Sequence, residues 1–317
     1  MVRRVAGERL RLAVIGAGRM GRVHLNALAG APSIDVCAVV EPVASLRVEA
    51  GVSGIATYET LAELLDGGVV DAALIAASTD SHVELIERLA GAGVHVLCEK
   101  PCGLRSSDTR TAVRRAEEAG ITLQIGYWRR FVPELVELRR RISAGDLGEL
   151  SLVSCWQWDE RPPAAAFRLR SGGILIDMGV HELDQLRWLT GQELVDLLAV
   201  PSAVSSTEPV EGDPESVELL GLMSGGTVAT VSLGRRFPEG DCCWVELMGT
   251  KGHVRSLFMW AEVGEQVFLD ALTAQAEAFA ATVLHGAPQA GASGADAVAA
   301  IAAAELAAGA LAGAQRT

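Results

Sequence analysis

Leu10-Arg11-Leu12-Ala13-Val14-Ile15-Gly16-Ala17-Gly18-Arg19-Met20-Gly21 decides the fold: an apolar run of strand length, then G-x-G-x-x-G opening a helix that runs to about Ala29. In a βαβ unit the three glycines permit a tight turn, a close approach of the backbone to a pyrophosphate, and close helix–strand packing. The start of the helix adds free N–H donors and the positive end of its dipole. Strand two, Ile34 to Val40, ends in Glu41-Pro42, so an acid stands 20 residues after Gly21. There it would hydrogen-bond both hydroxyls of an adenosine ribose and repel a 2′-phosphate, which points to NAD. Arg19 would lie along the adenine or contact a phosphate, and Arg47 is the one nearby cation that would rescue NADP binding.

Further along, the alternation of strand and helix continues. A helix near Glu59–Leu65 leads to strand Asp71–Ile75, helix Ser81–Ala90 to strand Val94–Leu97, and helix Ser106–Ala119 to strand Thr122–Ile125. Five apolar runs separated by amphipathic helices describe an α/β, doubly wound parallel sheet over residues 1–125. After Gly126 the pattern changes. A helix at Glu134–Ile142 precedes strand Glu149–Trp158, and Gly172–Gly191 encloses an amphipathic helix. Strands near Val195–Val200, Ser216–Met223, Thr227–Leu233, Cys242–Met248 and His253–Phe258 follow at short spacing. Gly225-Gly226 and Gly249-Thr250-Lys251-Gly252 read as hairpins, so residues 126–317 form an α+β domain with an open, mostly antiparallel sheet. Alanine-rich helices, Phe268–Leu284 and Ala295–Ala312, close the chain.

Of 27 basic residues, 25 are arginine and two, Lys100 and Lys251, are lysine. A compact ammonium can act as a point charge and exchange its proton, which a guanidinium cannot. Lys251 lies in a hairpin and needs no special reason. Lys100, in Cys98-Glu99-Lys100-Pro101, ends a buried strand, where open α/β sheets place their ligands. A formal charge of −13 argues against a nucleic-acid partner. No run approaches 18 consecutive apolar residues, and Glu8, Arg9 and Arg11 interrupt any leader-like apolar stretch, so a cytoplasmic protein without membrane contact is expected. The six cysteines (37, 98, 102, 155, 242 and 243) lack C-x-x-C or zinc spacing and read as reduced packing residues, with no metal expected.

Three further segments carry polar groups suited to chemistry. In Gly172-Gly173-Ile174-Leu175-Ile176-Asp177-Met178-Gly179-Val180-His181-Glu182-Leu183-Asp184, helical spacing puts Asp177, His181 and Asp184 on one face. His181 suits a general base near neutral pH, with Asp177 favouring its charged form. The same stripe also reads as the solvated side of an amphipathic helix, with Asp184 an ion-pair partner, as of Arg187. Tyr127-Trp128-Arg129-Arg130-Phe131 is either a charged linker or part of a site. Trp156 and Trp158 share one side of their strand; indole faces suit a polyhydroxylated ring and equally suit core packing.

Together, Gly-Ala-Gly-Arg-Met-Gly, Cys-Glu-Lys-Pro, Gly-Tyr-Trp-Arg-Arg-Phe and Gly-Gly-x-x-x-Asp-x-Gly-x-His-Glu resemble the glucose–fructose oxidoreductase/inositol dehydrogenase (Gfo/Idh/MocA) family, from about Arg11 to the last helices. The resemblance implies an N-terminal Rossmann domain with NAD on Gly16, Gly18, Arg19, Met20, Gly21, Glu41, Ser78, Thr79, His82, Glu99 and Lys100. It implies catalysis by Lys100, Asp177 and His181. Trp128, Arg129 and Trp158, together with those three, would contact a cyclic polyol or sugar whose secondary alcohol is oxidised. The Arg-Arg segment is most similar to inositol dehydrogenases, and Val132 departs from them where many carry Asp. In the family the outer face of the C-terminal sheet commonly makes a homodimer or homotetramer. Two alternatives stand beside this reading: an NAD-dependent glycoside hydrolase acting by transient oxidation and elimination, and a non-catalytic NAD- or sugar-binding protein.

Lys100 generates the first test. Lys100→Arg is expected to fail almost as badly as Lys100→Met, each losing ~10²-fold or more in turnover as a placed transition-state contact disappears. NAD affinity, measured by fluorescence titration, should change little in either variant.

Overall fold

A computed structural model describes residues 9–52, 54–204 and 210–314, so the leader expectation at Met1–Glu8 lies outside the described residues. Two compact units emerge. The elements in chain order begin β1 (Leu10–Ile15), α1 (Arg19–Leu28), β2 (Ile34–Val40), α2 (Ala44–Gly51), β3 (Ala56–Tyr58), α3 (Leu61–Gly67) and β4 (Ala72–Ile75). Next come α4 (His82–Gly91), β5 (His95–Cys98), α5 (Ser106–Ala119) and β6 (Leu123–Ile125). They continue with α6 (Pro133–Ser143), β7 (Leu150–Trp158), α7 (Ala165–Arg168), α8 (Val180–Thr190), β8 (Leu194–Pro201), β9 (Ser216–Met223) and β10 (Val228–Gly234). The last are β11 (Cys242–Gly249), β12 (His253–Met259), α9 (Gly264–His285), β13 (Ala292–Ser293) and α10 (Gly294–Ala314).

The first unit takes the chain up to Gly103, then Ser107–Trp128 and Leu269–Val298. Its sheet runs β13-β6-β5-β4-β1-β2-β3, the doubly wound order, parallel throughout except for β13. Leu10, Leu12 and Val14 are fully buried beside Ala13, as expected of a parallel strand covered on both faces. Two strands and a helix add to the sequence reading. β3 is three residues long, too short to show a period, and α2 buries no residue, so it carries no apolar stripe. β13 is two residues returning from near the chain's end to pair with β6, which covers an otherwise open sheet edge.

The expected boundary at residues 125 and 126 is therefore replaced by a discontinuous unit. The reason is packing: Ala276, Phe279 and Ala280 of α9 belong to the same core as Leu10, Leu12 and Leu74. By length and composition alone α9 and α10 would pass for membrane spans, with mean hydropathy of 1.4 and 1.6 over 18 residues. Counting consecutive apolar residues missed this because alanine raises the mean without forming an unbroken run of large side chains. Both helices bury a stripe. In α10 it is Ala297, Ala300, Ile301, Ala304, Ala307 and Leu311, at helical spacing.

The second unit comprises Leu104–Ser106, Arg129–Phe268 and the chain from Ala299. Its sheet runs β12-β11-β7-β10-β9-β8, antiparallel except between β7 and β10. Val153, Cys155, Val231, Leu233, Val245 and Leu247 fill the inner face. The alternate side chains, among them Trp156, Trp158 and Trp244, stand on the outer face. Gly226 (φ +87) closes the β9–β10 hairpin, and Lys251 sits exposed in the β11–β12 turn, as its sequence context implied.

Candidate active site

In the first unit, β1 runs into the glycine loop and α1 leaves it. Gly16 has φ +96, and a Cβ there would meet the Ala76 carbonyl oxygen at 2.8 Å. A Cβ on Gly21 would lie 2.0 Å from the Gly16 carbonyl oxygen, so only glycine lets α1 settle onto β1. Gly18 differs: a Cβ there would meet nothing within 4 Å, leaving open space at the N-terminus of α1. Gly18 caps that helix without any side-chain hydrogen bond, and no acid stands in the first turn. The first N–H groups of α1 are thus exposed to an anion, and this cradle fits the pyrophosphate of a dinucleotide.

Glu41 follows β2 and is buried. Its Oε2 accepts from the N–H of Ala17 inside the loop (2.7 Å) and its Oε1 from the N–H of Val43 (2.8 Å). Two backbone donors therefore aim the carboxylate, which retains lone pairs for ribose hydroxyls. Arg47 donates to the backbone oxygens of Glu41 (2.6 Å) and Pro42 (3.0 Å) and pairs with Glu59 (3.0 Å), so protein groups already hold the one candidate cation for a 2′-phosphate. Arg19 is exposed and Met20 half-buried at the start of α1.

Beyond β4, Ser78 accepts from Ser81, with Thr79 beside it. His82 is buried with Nδ1 2.8 Å from the Pro101 oxygen and Nε2 3.1 Å from the Ala77 oxygen. Burial pushes its pKa down, against the pull of those two carbonyls. Both ring nitrogens are occupied by the main chain. His82 therefore ties the loop after β4 to the turn at Lys100-Pro101.

Lys100 follows β5, at the carboxyl edge of the sheet, and its N–H donates to Glu99 (3.0 Å). Glu99 also meets His24 Nε2 of α1 at 2.6 Å, with both side chains buried. Burial alone would push the Glu99 carboxyl up, but His24 and then Lys100 outweigh it and hold the group below its usual range. This buried pair couples the glycine-loop helix to the Lys100 turn. Sequence reading missed His24; the available signal was a histidine three residues after Gly21, on the inward stripe of α1.

In the second unit, Leu175–Gly179 forms a π-helical turn that runs directly into α8. A π turn within a helix commonly marks a functional site. Asp177 lies in this turn, its side chain 17% exposed and 3.5 Å from Arg235. His181 lies in the first turn of α8, nearly buried. The neighbouring acids are committed elsewhere. Asp184 takes Arg130 through two hydrogen bonds (3.0 and 2.5 Å), while Arg187 pairs with Glu193, which corrects the expected Asp184–Arg187 pair.

Arg129 also departs from expectation. It is 3% exposed, pairs with Glu182, and donates to Gln157 (2.9 Å), Gln185 (3.3 Å) and Cys243 Sγ (3.2 Å). Its guanidinium also lies over the Phe258 ring. Burial opposes its charge, but the Glu182 carboxylate wins, so Arg129 remains firmly protonated. It anchors α8 from within rather than facing a ligand. Trp128, which opens the turn Trp128–Phe131 and ends the Ser107–Trp128 stretch of the first unit, is buried.

Trp158 stands on the face away from α8. Cys155 and Gln157 of β7 reach Gln185 and Arg129 on the α8 side, so strand alternation turns Trp158 to the opposite face. There its indole N–H donates to Ser232 (2.9 Å) and its ring covers Gly234. Trp156 stacks on Trp244 on that same outer face, with centroids 4.7 Å apart.

A glycine loop, an uncapped helix N-terminus and a buried acid ending β2 form a cradle that fits a dinucleotide, and sequence comparison agrees. Residues 10–127 match the oxidoreductase family with an NAD-binding Rossmann fold (GFO/IDH/MocA), and residues 135–255 match the GFO/IDH/MocA C-terminal domain. The chain belongs to this family and is an NAD-dependent oxidoreductase. It is 49% identical to the rhizopine catabolism protein MocA of Rhizobium meliloti, covering 92% of this chain and 91% of that one. It is 32% identical to the inositol 2-dehydrogenase of Rhizobium meliloti (strain 1021), covering 77% and 74%. Among solved structures, a myo-inositol dehydrogenase from Corynebacterium glutamicum superposes with a TM-score of 0.86 at 25% identity, covering 95% of this chain and 96% of that one.

Glu41 sets the cofactor prediction. Turnover should favour NAD over NADP, and Glu41→Ser should narrow that preference, read as the ratio of kcat/KM for the two dinucleotides. Equal or better wild-type turnover with NADP would overturn the role given to Glu41.

Proposed function

We propose that this enzyme oxidises a secondary alcohol of an inositol-type cyclic polyol to the ketone, reversibly, with Lys100, Asp177 and His181 as its catalytic groups. Bound NAD supplies the acceptor for the hydride that leaves the carbinol carbon. His181 takes the hydroxyl proton as general base, and Asp177 orients the imidazole and balances its charge once protonated. Lys100 presents an ammonium to the substrate oxygen and stabilises the negative charge that develops there. Ser78, Thr79, Glu99 and the glycine loop hold the dinucleotide, and Trp128 contributes to the substrate side.

The observation that carries this reading is the placement of Asp177 and His181 on a π turn and helix start whose neighbouring acids are already neutralised by Arg129 and Arg130. The substrate class draws support from relatives named for inositol, and from MocA, named for rhizopine catabolism. A screen for NADH formation with NAD against myo- and scyllo-inositol, aminocyclitols, rhizopine, aldoses and sugar acids should find turnover on a cyclic polyol. His181→Ala should abolish it while leaving NAD affinity intact, with a residual rate that rises with pH as hydroxide replaces the base. Release of a free sugar without net NADH would favour the hydrolase instead, and tight NAD binding with no turnover would favour a binding protein.

We also infer that the outer sheet face of the second unit receives a second copy of this chain. Leu198, Val200, Leu220, Leu222, Met248 and Leu257 are 41–66% exposed there, flanking the Trp156–Trp244 stack. This many large apolar side chains exposed on one sheet face mark an interaction surface. Sedimentation should show a dimer or tetramer, and Leu220→Glu with Leu222→Glu should yield a smaller species. A monomeric wild type at micromolar concentration would overturn the inference.

A further inference from the structure

The second unit holds a buried charge cluster that the preceding reading leaves unused. Arg168 donates to Asp213 through Nε (2.7 Å to Oδ2) and Nη2 (2.6 Å to the backbone oxygen). Asp213 Oδ1 accepts from the N–H of Ile174 (2.7 Å) and from Arg235 Nη2 (3.3 Å). Arg235 Nη1 then stands 3.5 Å from Asp177 Oδ2. Arg168, Asp213 and Arg235 are 3%, 5% and 0% exposed.

Charge balance gives the cluster its meaning. Two buried guanidinium groups face one buried carboxylate, Asp213, so the set is neutral only with Asp177 ionised. Glu215, the next acid along, is paired with Arg236. Arg235 keeps capacity in reserve: its Nε and Nη1 lie buried without a hydrogen-bond partner among the described residues. Nη1, the atom nearest Asp177, is one of these.

The backbone is shaped around the same acid. Gly172 and Gly173 both have positive φ (+83 and +77), and they turn the chain so that the Ile174 N–H reaches Asp213. A Cβ on Gly172 would meet Ile176 at 2.8 Å, and one on Gly173 would touch Asp213 at 3.4 Å. Asp213 thus grips the residue that precedes the π turn, and Arg235 links that grip to the acid within the turn.

We propose that Arg235 is a positioning residue for the reaction: it holds the Asp177 carboxylate through their ion pair and, through Asp213, fixes the Leu175–Gly179 turn that sets the direction of His181. The proposal rests on the catalytic assignment of Asp177 and His181 above. Arg235 acts through Asp177 and touches no reacting atom.

The test uses the full chain saturated with NAD and the best substrate from the screen. Arg235→Met should lower kcat by roughly 10²-fold, the scale of loss from displacing a reacting group by about 1 Å. KM for the polyol and Kd for NAD should stay within about twofold, and Arg235→Lys, which keeps the charge, should recover most of the loss. Combining Arg235→Met with Asp177→Asn should give the kcat of Asp177→Asn alone, because both changes act on one interaction. Near-normal kcat in Arg235→Met, or additive losses in the double variant, would overturn the proposal. If Arg235→Met does not fold, Arg235→Gln takes its place in both measurements. If the wild type oxidises no polyol, the functional reading fails separately, and hydrogen exchange still tests Arg235. Amides of residues 174–181 should exchange faster in Arg235→Met than in wild type, and unchanged rates would overturn the positioning role.

Discussion

The close approach of α1 to β1 governs the first unit. With the Gly16 oxygen lying where a Cβ on Gly21 would stand, the helix rests directly on the strand, and its N-terminus faces the carboxyl edge of the sheet. Other features follow from that contact. Ala17 is brought within reach of Glu41, so the acid ending β2 is aimed by the loop it serves. His24, one turn into α1, meets Glu99 and thereby fixes the backbone that carries Lys100. A side chain on Gly21 would displace the helix and loosen both connections together, since close-packed interiors transmit such shifts.

The second unit is organised by paired buried charge. Removing one partner of such a pair typically costs ~3–5 kcal/mol, because the survivor is stranded without water. Arg129 with Glu182 and Arg130 with Asp184 therefore lock α8 in rotation, while Arg168 with Asp213 locks the chain entering the π turn. The preference for arginine over lysine in this chain has a local reason here. The planar fork makes two hydrogen bonds at once and tolerates burial: Arg130 takes both oxygens of the Asp184 carboxylate, and Arg168 takes one carboxylate oxygen and the backbone oxygen of Asp213. Lys100, beside the buried Glu99–His24 pair, is the one lysine at a strand end, and the proposed chemistry uses its ammonium.

The two sheets treat their faces differently. The parallel sheet is covered on both sides, and its central strands are mostly apolar. The second sheet alternates, one face against α8 and the other carrying tryptophans and exposed leucines. That alternation separates the roles of neighbouring residues on β7: Gln157 reaches Arg129 beneath α8, whereas Trp158, one residue on, faces away. A one-residue difference in position is a difference of face, so Trp158 stands away from the α8 side that Gln157 serves.

Much of this protein is local and therefore readable from residue order. The glycine loop, Glu41, the strand-end position of Lys100 and the succession of strands and helices depend on φ preferences, period and spacing within one βαβ unit or one hairpin, and they stand where the chain pattern put them. Long-range pairing is invisible to such reasoning. No periodicity joins Arg129 to Glu182, Asp213 to Ile174, or Arg235 to Asp177 across separations of 53, 39 and 58 residues. Nor does it bring Ala276 and Phe279 of a late helix into the core of the first unit. By itself the sequence determined the fold class, the cofactor and the residue types available for chemistry. Only the tertiary structure decided which charges are consumed in holding α8, because a buried ion must find its partner wherever the fold supplies one.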